Sequence, residues 1–137
     1  LPMSHIKRAK KLGIPNYFEH CKDTTSSVVD YLQIDKSKWS LSFQSRLGPV
    51  KWLEPSTLKE VEKLAKNGSK KVVIASPSFI ADGLETLEEL NIEVREHFMK
   101  HGGEELVVAK CLNDSPEWIE GLTVLVNNSL KAFHQTD

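Results

Sequence analysis

The sequence predicts an α/β fold, a three-layer αβα arrangement on a parallel sheet of about four strands. Two short, continuous apolar runs carry that reading: Lys71-Val72-Val73-Ile74-Ala75 and Leu106-Val107-Val108-Ala109. Such runs are the form a strand takes when helices cover both faces of its sheet. A third run, Trp39 to Ser45, alternates apolar and polar residues at period two, as a strand with one buried face does. Helical patterns lie between and after these runs, so the order from Trp39 onward is β-α-β-α-β-α. Parallel strands joined by helices cross over with the right hand. Ligands of such sheets bind beyond the carboxyl ends of the strands.

The chain opens with Leu1-Pro2 and the basic run SHIKRAKK, and Gly13-Ile14-Pro15 then marks a turn. Asn16 to Leu32 fits a helix, with Tyr17, Cys21, Val28 and Leu32 as its inward candidates. Residues 1–35 thus form a helical lead-in to a βαβαβα core over 38–137. The strand from Trp39 is broken at Gly48-Pro49, and Trp52, Leu53 and Pro55 belong to a loop. Thr57 with Glu60 makes a capping box for a helix to about Lys66, closed by Asn67-Gly68. Pro77 ends the strand from Lys71. The next helix has the core stripe Leu84, Leu87, Asn91, Val94 and Phe98, and runs out at Gly102-Gly103. Ser115-Pro116 supplies N-cap and first turn for the last helix, whose inward positions include Ile119, Leu122, Val126 and Leu130. Three segments converge on the carboxyl rim: Gln44 to Trp52, Ser76 to Asp82, and Leu112 to Ser115.

The stretch from Ile80 to Glu96 is the most distinctive. At 100° per residue, steps of four and three keep Glu85, Glu89, Glu93 and Glu96 in one stripe. Like charges at that spacing repel by a few tenths of a kcal/mol per pair. Glu85, Glu89 and Glu93 have no Lys or Arg four residues further on. Such a row attracts cations, or it is a plain solvated face with Asp82 as N-cap and Glu85 closing a capping box. Spacing alone favours the plain reading.

Composition narrows the classes. A chain of 137 residues is one domain by length and can bury a core without staples. A net charge of −1 leaves no electrostatic footprint for nucleic acid. Cys21 and Cys111 stand far apart with no CxxC spacing, so neither a zinc site nor an iron–sulfur cluster is expected. Two cysteines suit a reducing, cytoplasmic setting. The basic opening has no apolar region behind it, which rules out a secretory signal. It is compatible with peripheral contact at a membrane surface, though it is short and weakly amphipathic. No GxGxxG or GxxxxGKS pattern follows a strand, which argues against a nucleotide-phosphate cradle.

The three rim segments carry a resemblance. FQSRLGPVKWLEP (Phe43 to Pro55), SPSFIADGLETLEEL (Ser76 to Leu90) and CLNDSPEWIEGL (Cys111 to Leu122) resemble the C-terminal half of ferrochelatase. The likeness covers nearly the whole chain, in order. LPMSHIKR is similar to the continuation of that family's active-site loop, which carries a catalytic histidine just before a Leu-Pro-like pair. On this resemblance the chain lacks that histidine and the N-terminal half that forms the opposite wall of the cleft, so it is expected to be inactive alone.

The resemblance implies a chelatase-like, Rossmann-like fold of two α/β domains. It also implies insertion of Fe²⁺ into protoporphyrin IX to give protohaem and two protons, with no cofactor beyond the substrate iron. By motif match, Glu85 is the catalytic glutamate, and Asp82, Glu89 and Glu93 continue an acidic, metal-handling row from it. Trp52 and Phe79 match the porphyrin pocket, and Arg46 is a candidate partner for a propionate. Some members have a histidine two residues before the glutamate. Gly83 stands there in this chain, which removes one candidate metal ligand or base.

The chemistry suits those residue types. Metallation must strip water from a metal ion, reach the pyrrole nitrogens and dispose of two protons. Carboxylates serve as oxygen ligands, and partial burial raises a carboxylate's pKa, making it a better proton acceptor. Aromatic residues at a pocket mouth stack on a flat apolar ligand. They anchor loops on a sheet equally well, and for Trp52 the two readings weigh about the same. Arg46 alone is more often a surface arginine. His97 and His101, four apart near a helix end, have a zinc-compatible spacing, but the sequence shows no third ligand. Cys111 reads as a small buried apolar residue.

Other functions compete. A related chelatase would metallate coproporphyrin or insert cobalt. A non-catalytic module would bind porphyrin or metal only. A flavodoxin-like domain would bind flavin, against which the missing phosphate loop argues.

Overall fold

The computed structural model describes residues 1–44 and 48–134. Helix α1 spans Met3–Leu12 and α2 spans Tyr17–Tyr31, parted by a left-handed Gly13 (φ 65°). Asn16 caps α2, its side-chain oxygen accepting from the amides of Phe18 and Glu19. A short 3₁₀ turn at Lys36–Lys38 leads to α3, Thr57–Lys66. Strand β1 is Lys71–Ile74 and β2 is Glu105–Val108. Between them runs a π-helical segment, Glu85–Val94, which passes directly into α4, Arg95–Lys100. Helix α5, Pro116–His134, closes the chain.

The two strands pair in parallel, Lys71 opposite Glu105 through Ile74 opposite Val108. Val72, Ile74, Leu106 and Val108 turn to one face, where Val61, Ala65, Leu90, Val94 and Phe98 complete the core. Leu90 and Phe98 are 1% and 0% exposed. Burying one such side chain is worth about 1.5–3 kcal/mol, so this small cluster anchors α3, the π-helical segment and α4 on the sheet. The opposite sheet face, with Val73 and Val107, is open, and Val73 is 71% exposed.

The α/β class and the βαβ unit from Lys71 agree with the sequence. The sheet, however, has two strands among the described residues, where about four are predicted. Trp39 to Gln44 does not join it. Phe43 makes a single parallel bridge to Ser56, with its amide on Pro55 O at 2.8 Å and its carbonyl accepting from Thr57 N at 3.1 Å. Pro55 has no N–H to extend the pairing. The chain start makes an equally short contact: Pro2 bridges Trp52, with Met3 N on Lys51 O at 2.8 Å and Leu53 N on Leu1 O at 3.1 Å.

Both predicted capping boxes are absent. Ser56 precedes α3 without a side-chain cap, and Thr57 instead meets Ser42, hydroxyl to hydroxyl at 3.2 Å. The π-helical segment has Leu84 at its cap position, again with no side-chain bond.

Three predicted inward stripes also shift. In α2 only Val29 is buried, while Tyr17, Val28 and Leu32 are exposed. Along the π-helical segment and α4 the buried residues are Thr86, Leu90, Val94 and Phe98, a strict spacing of four. Leu84 and Leu87, chosen by the α-helical period, lie outside the core. A π-helix bonds to the fifth residue and turns through less angle per residue, which changes the phase of its faces. In α5, Ile119, Leu122, Val126 and Leu130 are all exposed.

Candidate functional site

Two of the three segments expected at the rim meet loop to loop, Ser76 to Asp82 with Leu112 to Ser115, and Gln44 of the third reaches the π-helical segment that starts beside them. Asn113 adopts a left-handed backbone (φ 48°), which Asn tolerates better than most residues. Its amide donates to Ile80 O at 2.8 Å. Its side chain accepts from Asp82 N at 2.9 Å and donates to Asp82 Oδ2 at 2.8 Å. The loop after β2 is thereby fastened to the loop after β1. Thr86, nearly fully buried, continues the connection by donating to Asp82 Oδ1 at 2.9 Å and accepting from Gly83 N at 3.0 Å. The Asn113 bond, then the Thr86 bond, then Cys111 hold the Asp82 carboxyl below the usual range. Burial, with Asp82 alongside, pushes the Cys111 thiol up, which keeps it protonated.

Gln44 brings in the third segment. Its side-chain amide donates to the backbone carbonyl of Glu85 at 2.7 Å and to Glu89 Oε2 at 2.7 Å. Both of its N–H bonds are used. Gln44 therefore fixes the first π-helical turn and the direction of the second carboxylate together.

Glu85 and Glu89 are half-buried, and Glu93, four residues on, is exposed. The row thus leads from solvent towards the rim. Glu85 folds back over Gly83: a Cβ placed on Gly83 would lie 3.2 Å from Glu85 Oε2. The absence of a side chain at residue 83 gives that carboxylate its room. Phe79 is half-buried in the turn after β1, its amide on Ser76 O at 2.9 Å. Trp52 is half-buried and is held in place by the Pro2 bridge. Arg46 lies outside the described residues.

A sequence model of the family described as Ferrochelatase matches residues 1–130. The chain belongs to the ferrochelatase family. Among curated relatives named Ferrochelatase, that of Pseudomonas fluorescens (strain Pf0-1) is 45% identical over 109 residues, covering 80% of this chain and 32% of the relative. That of Bdellovibrio bacteriovorus is 42% identical over 112 residues, covering 82% and 33%. That of Pseudomonas putida (strain W619) is 46% identical over 106 residues, covering 77% and 32%. The chain spans about a third of the length of these ferrochelatases.

Three residues that build the rim escape a reading of the sequence for chemistry. Gln44 and Asn113 lie inside the family-like motifs, but as neutral amides they carry no reactive group. Thr86 lies inside such a motif too, but its role depends on facing Asp82 in the fold. His97 and His101 gain a neighbour that the sequence did not offer, Glu62 from α3.

Proposed function

We propose that this chain is the C-terminal part of a ferrochelatase that inserts Fe²⁺ into protoporphyrin IX to form protohaem. The observation that carries the reading is Gln44, whose amide holds the Glu85 turn and the Glu89 carboxylate together at the rim. In this reading Glu93 and Glu89 exchange water ligands of the incoming iron for carboxylate oxygen. Glu85, nearest the macrocycle, accepts a pyrrole proton as the metal enters, and the row outward carries protons to solvent. Two N–H protons leave as two Fe–N bonds form in their place, so charge and protons balance. Asp82 anchors the start of the row and stands as a further metal-facing oxygen. Phe79 and Trp52 supply flat apolar contacts to the porphyrin, and Arg46 a partner for a propionate.

The rest of the enzyme is the partner this reading requires. It covers the bare face of Val73 and Val107 and the exposed apolar residues of α5. Exposed apolar side chains in such numbers favour association. Dilution-dependent sedimentation of the isolated chain, giving way to a single 1:1 complex when the N-terminal half is added, is the expected behaviour. We place the enzyme in the cytoplasm, with any membrane contact peripheral; no described helix is long and apolar enough to cross a bilayer.

Porphyrin metallation followed by absorbance tests the reading. The chain is assayed with Fe²⁺ or Zn²⁺, alone and mixed with a separately made N-terminal half. Activity in the mixture that disappears with Glu85→Gln supports it. Metallation by the chain alone, or a mixture as active with Gln at position 85, overturns the assigned proton route. Titration of the chain with protoporphyrin IX and with flavin separates a porphyrin-binding module from a flavin-binding one.

A further inference from the structure

We infer a second divalent-metal site, formed by Glu62, His97 and His101, at the far end of the acidic helix from Glu85. The three residues come from two elements. Glu62 lies on α3, while His97 on α4 and His101 just beyond it are one helical turn apart. Packing of Val61 and Ala65 with Val94 and Phe98 sets the two helices side by side. One ligand atom from each residue lies within 4.8 Å of the others, and all three side chains are half-buried.

The individual distances are close to what a metal needs. With bonds of about 2.0 Å and tetrahedral angles, ligand atoms stand about 3.3 Å apart. His97 Nε2 is 3.1 Å from Glu62 Oε2, and His101 Nε2 is 3.8 Å from Glu62 Oε1. Small side-chain rotations close the set. The His101 ring is already oriented for a metal: its Nδ1 lies 2.8 Å from the His97 carbonyl and donates to it, so Nε2 is the nitrogen that faces Glu62. The His97 ring now shares a proton with the carboxylate through Nε2. Metal binding at that nitrogen moves the proton to Nδ1. Lys66 pairs with Glu62 Oε1 and holds the carboxylate from outside.

Two imidazoles and one carboxylate select a borderline transition dication, with Zn²⁺ ahead of Fe²⁺, and disfavour Mg²⁺ and Ca²⁺. The open fourth position goes to water. His97 stands twelve residues beyond Glu85, under ~18 Å along the axis at 1.5 Å per residue. The site is therefore separate from the rim and stands whether or not the rim inserts iron. Its occupant ties α3 to α4 across the core and adds the free energy of binding to the folded state.

Calorimetric titration of the 137-residue chain with Zn²⁺, without porphyrin, tests this directly. One tight site is expected, with a Tm that rises as Zn²⁺ is added in excess. His97→Ala with His101→Ala should weaken that site by ~100-fold and Glu62→Gln by ~10-fold, while Glu85→Gln with Glu89→Gln leaves it intact. Circular dichroism establishes that each variant is folded. On the unaltered chain, Co²⁺ should give visible ligand-field bands without thiolate charge transfer. No tight site, a site that survives loss of both histidines, a site lost with Glu85 and Glu89, or a thiolate band overturns the inference.

Discussion

Asp82 and Asn113 grip each other in both directions. The Asp82 amide donates to Asn113 Oδ1 at 2.9 Å, and Asn113 Nδ2 donates to Asp82 Oδ2 at 2.8 Å. This pair closes the rim between the two strands, in front of the first glutamate of the acidic row.

Substituting Asn113 separates its two roles. Asn113→Gly keeps the left-handed backbone and loses only the side-chain bonds, at a cost of about 1 kcal/mol. Asn113→Ala loses both and should cost about 1 kcal/mol more. Urea unfolding of the two variants checks the order. Equal midpoints would show that the backbone conformation carries no weight.

The same pair predicts a pH response. Asp82 has a lowered pKa in the fold, so its contribution to stability is fully present above its unfolded value near 4. It disappears as pH falls through the lower folded value. Glu62, brought to about 2 by its Lys66 bond and then by His97, adds a contribution of the same sign. Urea midpoints measured from pH 5 down to pH 2 should fall, and Asn113→Ala should flatten part of the slope. An unchanged slope in that variant would remove Asp82 from the account.

Two glycines give opposite expectations. A Cβ on Gly103 would run into the ring of Phe98, which has no exposure. Gly103→Ala should destabilise by at least 1–3 kcal/mol, the usual range for an overpacked core. A Cβ on Gly83 meets only the flexible end of Glu85 at 3.2 Å. Gly83→Ala should therefore unfold at nearly the parental urea concentration yet slow metallation in the completed enzyme. A stability loss as large as that of Gly103→Ala would contradict the assignment of that space to the carboxylate.

Gln44 offers a test of the acidic row. Gln44→Ala in the completed enzyme should lower the metallation rate by ~10-fold, about the value of one positioned hydrogen bond. Gln44→Glu should lower it further, because it sets a like charge against Glu89. Steady-state rates with Zn²⁺ as the inserted ion would decide. Parental kcat and KM in both variants would show that the Glu89 direction does not matter.

How far the sequence revealed this arrangement depended on whether the signal was local. Lys71–Ile74 and Glu105–Val108 were legible because continuous β-branched runs have few other uses in a chain this short. The meeting of the loops after β1 and β2 was legible from topology, whereas Gln44 arrives from a stretch that does not join the sheet. Leu84 and Leu87 were misplaced because the reading assumed an α-helical period, and no residue between Glu85 and Val94 announces a π-helix. The apolar positions of α5 were read as core because periodicity shows which residues share a face, not what covers it. Glu62 was invisible as a companion of His97, since they stand 35 positions apart in the chain and only packing joins them.

The wide winding between Glu85 and Val94 makes residue count a determinant of this site. Rim and core are phased against each other through one continuous rod, with Glu85 fixed at one end and Phe98 at the other. Replacing Leu87 or Ile92 alters a single side chain. Deleting either would let the segment rewind more tightly and swing every upstream carboxylate to a new bearing, so this stretch should accept new letters far more readily than a change of length.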